Sequence, residues 1–161
     1  MKIRKIKECE LDYLWNFEKE NREYDKKILG EKFWPFYPSI INGKEKKIWL
    51  KDLKKSFRDK NTNILVVEIG GKIVGYSWAH ICFLEHLTPK RKTGCIEEFF
   101  LTEKFRGKGI SAKLMDETIK WFKQKDVEFV SLRVFSKNKN VVAVYEKFGF
   151  EPFSIEMKRR V

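Results

Sequence analysis

Histidine and cysteine are scarce in this chain, with two and three copies among 161 residues. Cys9, Cys82 and Cys95 are odd in number, share no close spacing and have no histidine at a metal-ligand interval. Neither a disulfide framework nor a zinc site is therefore expected, and all three read as small core or half-buried residues. His80 and His86 stand on or beside an apolar strand with no Ser, Cys or paired Asp at motif spacing, and both read as structural. No stretch approaches the ~20 uninterrupted apolar residues of a membrane span, so no membrane partner is expected. No internal repeat, low-complexity block or Pro/Gly/Ser linker divides the sequence, and one domain over residues 1–161 follows. The opening run Met1-Lys2-Ile3-Arg4-Lys5-Ile6 alternates basic and apolar residues like an edge strand. It lacks the apolar run and small-residue cleavage site of a signal peptide, and the expected location is cytoplasmic.

What the chain does contain is apolar surface and positive charge. Hydrophobic residues make up 42% and aromatics 15%, far too much for a disordered chain. Thirty-five Lys and Arg against 23 Asp and Glu give a formal charge of +12. Such an excess marks either a nucleic-acid binder or a well-solvated surface with a polyanionic ligand. Here the cations are spread along the chain and mixed with acids, as in Lys44-Glu45-Lys46-Lys47, a pattern of exposed helix faces rather than of a binding stripe. Nucleic acid is not the expected partner.

Strand and helix patterns alternate from end to end, which predicts an α/β layer architecture. Residues 2–7 read as a strand. Leu11, Leu14, Trp15 and Phe17 predict a helix from Glu10 to about Tyr24, and Trp49, Leu53 and Phe57 at fourfold spacing predict a second. Between them Lys32 to Pro38 (Lys-Phe-Trp-Pro-Phe-Tyr-Pro) is too rich in proline for a helix, and either packs onto the core or lines a pocket. Residues 64–69 and 73–82 flank Gly70-Gly71, the pair of residues a two-residue hairpin turn demands. Further strands are predicted over 95–102, 128–135 and 151–160. Helices are predicted over 110–125 and about 139–148, the last stopped by Gly149 at C′.

The chemistry starts at Phe105-Arg106-Gly107-Lys108-Gly109-Ile110-Ser111, between a strand and a helix. Two glycines before a helix N-terminus let the backbone approach a ligand closely. The unpaired N–H groups of the first turn then make a site for phosphate, to which Arg106 and Lys108 add charge. The third glycine of a dinucleotide fingerprint and the Gly-Lys-Ser/Thr ending of a P-loop are both missing.

This run resembles the Arg/Gln-x-x-Gly-x-Gly/Ala signature of the GNAT superfamily of N-acetyltransferases, with Ser111 in place of the usual Gly or Ala. Residues 138–150, Asn138-Lys139-Asn140-Val141 through Tyr145-Glu146-Lys147-Phe148-Gly149-Phe150, resemble that family's Asn-x-x-Ala…Tyr-Glu-Lys-Leu-Gly-Phe segment. The matches cover roughly residues 63–153. The resemblance implies a single-domain α/β (α+β) fold with a mixed, mostly antiparallel central sheet, a splayed parallel strand pair and helices on both faces. It implies acetyl-coenzyme A as cosubstrate, its diphosphate on the main-chain N–H groups of Arg106, Gly107, Lys108, Gly109, Ile110 and Ser111. Its pantetheine arm would pair with the strand around Phe99, Phe100, Leu101 and Thr102, with 129–134 opposite. Asn138 would lie near that arm, and Tyr145 would point its hydroxyl at the coenzyme sulfur.

Transfer to an amine needs a proton acceptor, because an ammonium cannot attack a thioester. Glu97 and Glu98 are the candidates, and strand alternation would send them to opposite faces. The segment 96–101 is similar to the corresponding strand of spermidine/spermine N-acetyltransferases, where the first of two acids assists deprotonation, and this favours Glu97. Tyr145 is the candidate acid for the leaving thiolate, and backbone N–H near Leu101 could stabilise the oxyanion. Salt-bridge roles for the glutamates and a core role for Tyr145 stay open. The expected acceptor is a small amine such as a polyamine, attracted by Glu97, Glu98 and Glu85. A protein N-terminus or lysine comes second, and a non-catalytic coenzyme A or nucleic-acid binding module is the competing class. A homodimer is one arrangement open to the chain.

Overall fold

The computed structural model describes residues 1–36, 44–84 and 91–159. Five strands form one sheet in the order β1 (Lys2–Lys5), β2 (Thr62–Ile69), β3 (Lys72–Leu84), β4 (Arg91–Leu101) and β5 (Phe129–Leu132). The first three pairings are antiparallel and the last, β4 with β5, is parallel. The β2–β3 hairpin turns on Gly70 and Gly71, both with positive φ (57° and 72°), which is the conformation that glycine enters without steric cost.

Strand alternation sorts the core into two layers. Ile64, Val66, Tyr76, Trp78 and Phe100 face a 3-10 segment (Glu8–Leu14) and helices α1 (Trp15–Phe33) and α2 (Glu45–Phe57), meeting Leu11, Leu14, Phe17, Trp49 and Leu53. Leu65, Val67, Val74 and Leu101 face the other way, onto Ile110 and Leu114 of α3 (Ile110–Gln124). Farther along that face Ala79, Ile81 and Ile96 meet Met115, Trp121 and Phe122, with α4 (Lys139–Lys147) contributing Tyr145 at the margin. Helices thus cover both faces, each fully buried large side chain contributing about 1.5–3 kcal/mol. Among the described residues no helix is long and apolar enough to cross a membrane.

Several expected boundaries move, for identifiable reasons. Helix α1 runs past Tyr24 to Phe33, kinked at Gly30 (φ 70°, ψ 168°), and the proline-rich run continues it as a 3-10 turn over Trp34–Phe36. Pro35 is tolerated there because the first turn of a helix does not need its N–H; Tyr37 and Pro38 lie outside the described residues. Strand β5 stops at Leu132 rather than Phe135, since β4 is no longer beside it. The strand expected over 151–160 is not formed in residues 151–159, where Phe153, Ile155 and Met157 are 100%, 79% and 90% exposed. Alternation predicts which face a strand would bury; it does not supply a neighbour to pair with.

Candidate active site

The β4–α3 connection is held from behind. Thr102 N–H donates to the Val74 carbonyl (2.9 Å), a 3-10 turn follows over Glu103–Phe105, and Arg106 Nε donates back to the Leu101 carbonyl at 2.8 Å. The Arg106 guanidinium also lies 5.9 Å from the centre of the Phe100 ring. Arg106 therefore positions the loop as well as charging it. Gly107 and Gly109 both sit at φ 72°, with open space where a Cβ would project. Gly109 is the N-cap of α3, no side chain caps that end, and the first turn holds no acidic residue. Main-chain N–H groups at the positive end of a 15-residue helix are thus presented at an open surface, which fits a diphosphate.

Beside this loop the sheet opens. Parallel pairing runs from Thr93 opposite Phe129 to Ile96 opposite Leu132 and ends there, whereas β4 stays paired with β3 as far as Leu101. The Thr102–Val74 hydrogen bond sets the phase of that antiparallel ladder. Tyr76 opposite Phe100 is then a hydrogen-bonded pair, and Gly75–Leu101 and Ser77–Phe99 are not. Phe99 and Leu101 consequently turn their backbone polar groups toward the side that β5 has left. Phe100 turns its own toward β3, and its ring stacks on Phe17 at 5.1 Å within the core. The Phe100 side chain is thus a packing group.

Glu97 and Glu98 do not simply alternate. Trp78 pairs with Glu98 and Ala79 with Ile96, so Glu97 is the extra residue of a β-bulge. The bulge leaves Ile96 packed toward α3. It turns Glu98 toward α1, where Glu18, Asp25 and Arg22 surround it, and exposes Glu97 with Oε1 3.6 Å from His80 Nε2. Burial holds the Glu98 carboxyl well above the ordinary carboxylate range, and the charges of Glu18, Asp25 and Glu97 push it further. Glu18, 3% exposed, is also raised by burial, against the pull of Arg22, whose Nε donates to its Oε1. The other Glu18 oxygen, Oε2, is buried with no hydrogen-bond partner among the described residues.

Tyr145 completes this group. It lies on α4 against Phe99 and Phe150 (ring centres 6.4 and 6.0 Å), and its hydroxyl is pushed up to about 12 by burial and then by the charges of Glu98 and Asp25. A phenol so shifted keeps its proton across the neutral range. Asn138 is buried as the N-cap of α4, and its Oδ1 accepts from Val141 N–H (3.4 Å) and from Tyr24 Oη (3.2 Å). It ties α4 to α1 across the opening, a positioning role. Glu85 and His86 lie outside the described residues.

The sequence reading missed two things here. Glu18, Arg22 and Asp25 stand at i, i+4 and i+7 on α1, one helix face, and only the fold carries that face to Glu98. The absence of histidine near the cysteines was inferred from chain spacing and is corrected: His80, Cys82 and Cys95 converge, with ligand atoms all within 4.8 Å of one another. His80 is directly opposite Cys95 in the β3–β4 ladder, and that thiol is lowered to about 7, chiefly by its hydrogen bond with His80. Cys9 is exposed and separate. A surface depression lined by Glu8, Cys9, Asp12, Lys54 and Arg58 is spanned by the ion pairs Arg58–Glu8 and Lys54–Asp12, both at 3.0 Å. Those residues belong to the 3-10 segment, α2 and its C-cap Arg58, apart from the opening beside β5.

With this geometry in view, comparison with known proteins gives the class. Residues 26–150 match the acetyltransferase (GNAT) family model. An uncharacterized N-acetyltransferase of Methanocaldococcus jannaschii is 29% identical over 150 residues, 92% of this chain and 60% of that protein. An uncharacterized N-acetyltransferase of Archaeoglobus fulgidus is 30% identical over 126 residues, 74% of this chain and 84% of that one. Among solved structures, a mutant of the BH1408 protein from Bacillus halodurans superposes with a TM-score of 0.84 at 21% identity, over 100% of this chain and 99% of that one. The chain belongs to the acetyltransferase (GNAT) family, a class of acetyl-coenzyme A-dependent acyltransferases. It spans 60% of the length of the Methanocaldococcus relative.

Proposed function

We propose that the protein transfers the acetyl group of acetyl-coenzyme A to a cationic primary amine, a small polyamine-like molecule foremost. The observation that carries this reading is the grouping of Glu18, Asp25, Glu98 and Tyr145 beside the divergence of β4 from β5. Burial keeps the Glu98 and Glu18 carboxyls raised, so a positive charge entering the site would favour their ionised forms. A buried carboxylate such as Glu18, whose Oε2 finds no partner by distance although the protonated Glu98 acts on the group as a hydrogen-bond donor, would be stabilised further by an approaching cation. An ammonium supplies that charge.

Acetyl-coenzyme A supplies an activated acyl carbon and a thiolate leaving group. Its diphosphate would rest on the N–H groups from Gly107 to Ser111, and its arm along Phe99 and Leu101. Glu98, whose charge acts on the Tyr145 hydroxyl while Glu97 is turned to His80, is the base we favour. Its raised proton affinity suits proton abstraction once the charge of the incoming amine favours the ionised carboxylate. The neutral amine attacks the acetyl carbonyl directly, forming the C–N bond; as the C–S bond breaks, the Tyr145 hydroxyl would give its proton to the departing sulfur and take back the surplus proton of the attacking nitrogen.

The test is a thiol-release assay with acetyl-coenzyme A against polyamines, amino acids and lysine-bearing peptides. Turnover with polyamines above all other acceptors is expected. Turnover confined to peptides would overturn the small-amine reading, and none with any amine would overturn the catalytic one.

A further inference from the structure

Outside this site the most unusual assembly of side chains is on the β3–β4 ladder. His80-Ile81-Cys82 is a His-x-Cys run on a strand, so His80 and Cys82 share one face, the face of Tyr76 and Trp78. Cys95 is directly opposite His80, and Cys82 pairs with Thr93, two residues before Cys95. Three donor groups are thereby brought together by two strands of one ladder, a rigid frame. Their ligand atoms lie within 4.8 Å of one another, and the two sulfurs are 2.9 Å apart. From this geometry we propose that His80, Cys82 and Cys95 form a binding site for a thiophilic divalent metal ion, zinc first.

The donor chemistry selects the ion. Two thiols and an imidazole are soft and borderline ligands, which suit zinc and its neighbours and do not suit calcium or magnesium. Zinc holds sulfur at about 2.3 Å and imidazole nitrogen at about 2.0 Å, which separates two tetrahedral sulfurs by about 3.8 Å. The two thiols need only part by roughly 1 Å, a side-chain rotation, to admit it. All three residues are partly exposed, which gives an ion a way in. Glu97, 3.6 Å from His80 Nε2, is the carboxylate partner that commonly orients a metal-bound imidazole. Ser131 Oγ, 3.6 Å from Cys95 Sγ, flanks the site from β5.

The experiment uses the full chain, reduced and stripped with a chelator, with cobalt(II) as the optical probe and zinc as competitor. One equivalent of cobalt should raise the thiolate-to-metal charge-transfer absorption, and one equivalent of zinc should abolish it. Cys82→Ser and Cys95→Ser should each abolish the band. His80→Ala, which leaves both cysteines in place, should weaken binding by at least about tenfold, and Glu97→Gln by about tenfold. Circular dichroism of the metal-free His80→Ala protein gives the folding control. The proposal is overturned if the wild-type protein gives no charge-transfer band, or if Cys82→Ser/Cys95→Ser binds cobalt as the parent does. It is equally overturned if the reduced protein ignores cobalt while air oxidation removes two hydrogens to join Cys82 to Cys95, which would make the pair a redox couple.

Discussion

Glu98 and Tyr145 carry the residue-scale argument: burial raises the proton affinity of Glu98, as a base for an ammonium requires, and Tyr145 stays protonated beside it. Tyr145→Phe should lower kcat by about 10²-fold while leaving the dissociation constant for acetyl-coenzyme A nearly unchanged, as steady-state kinetics and calorimetry would show. Glu98→Gln should lower kcat by a similar factor, whereas Glu97→Gln should cost much less; equal losses would remove the preference for Glu98. The same shifts bear on stability. Glu98 and Glu18 bind protons more tightly folded than at their ordinary 4.5, so their contribution is fully present below that pH and is lost as pH rises through their raised values. Glu10 works the other way: Arg4 holds it down to about 2, so its contribution is present above 4.5 and is lost as pH falls toward 2. Melting temperatures across pH should therefore show a decline on the alkaline side that Glu98→Gln flattens.

At the scale of elements, the glycines show which contacts are fixed. A Cβ at Gly75 would lie 2.6 Å from the Phe100 carbonyl oxygen and 2.8 Å from Leu101 Cδ1, so Gly75→Ala should destabilise by about 1–3 kcal/mol in denaturant melts. Gly109 meets no obstacle and instead has a left-handed backbone, so Gly109→Ala should cost about 1–2 kcal/mol and weaken coenzyme binding together. Both the hairpin at Gly70-Gly71 and the glycine loop before α3 were legible in the sequence, since turn chemistry and helix starts are local. The bulge at Glu97 was not, because an extra residue in a strand is defined by its partner and Trp78 is 19 positions away. Nor was the α1 contribution: Glu18 and Asp25 look like solvent-facing charges until the helix is laid on the sheet. The pairing of His80 with Cys95 was hidden for the same reason, as register across a ladder is not written in either strand alone.

For the molecule as a whole, Arg4 is a small keystone of the sheet edge, joining Glu68 on β2 to Glu10 on the 3-10 segment, both at 2.7 Å. Arg4→Ala should lower stability by roughly 2 kcal/mol, partly screened by salt. The +12 charge invites a second test, because phosphate-backbone binding falls steeply with ionic strength while a cradle of main-chain N–H groups should hold its ligand through moderate salt. The departure of β5 after four paired residues has one more consequence. On the proposed reading this edge takes a single extended guest, a coenzyme arm with two amides standing in for the absent strand. Hydrogen exchange at Phe99 and Leu101 should then slow in its presence as if the sheet had grown by one member, and short β-forming peptides should compete for the same gap.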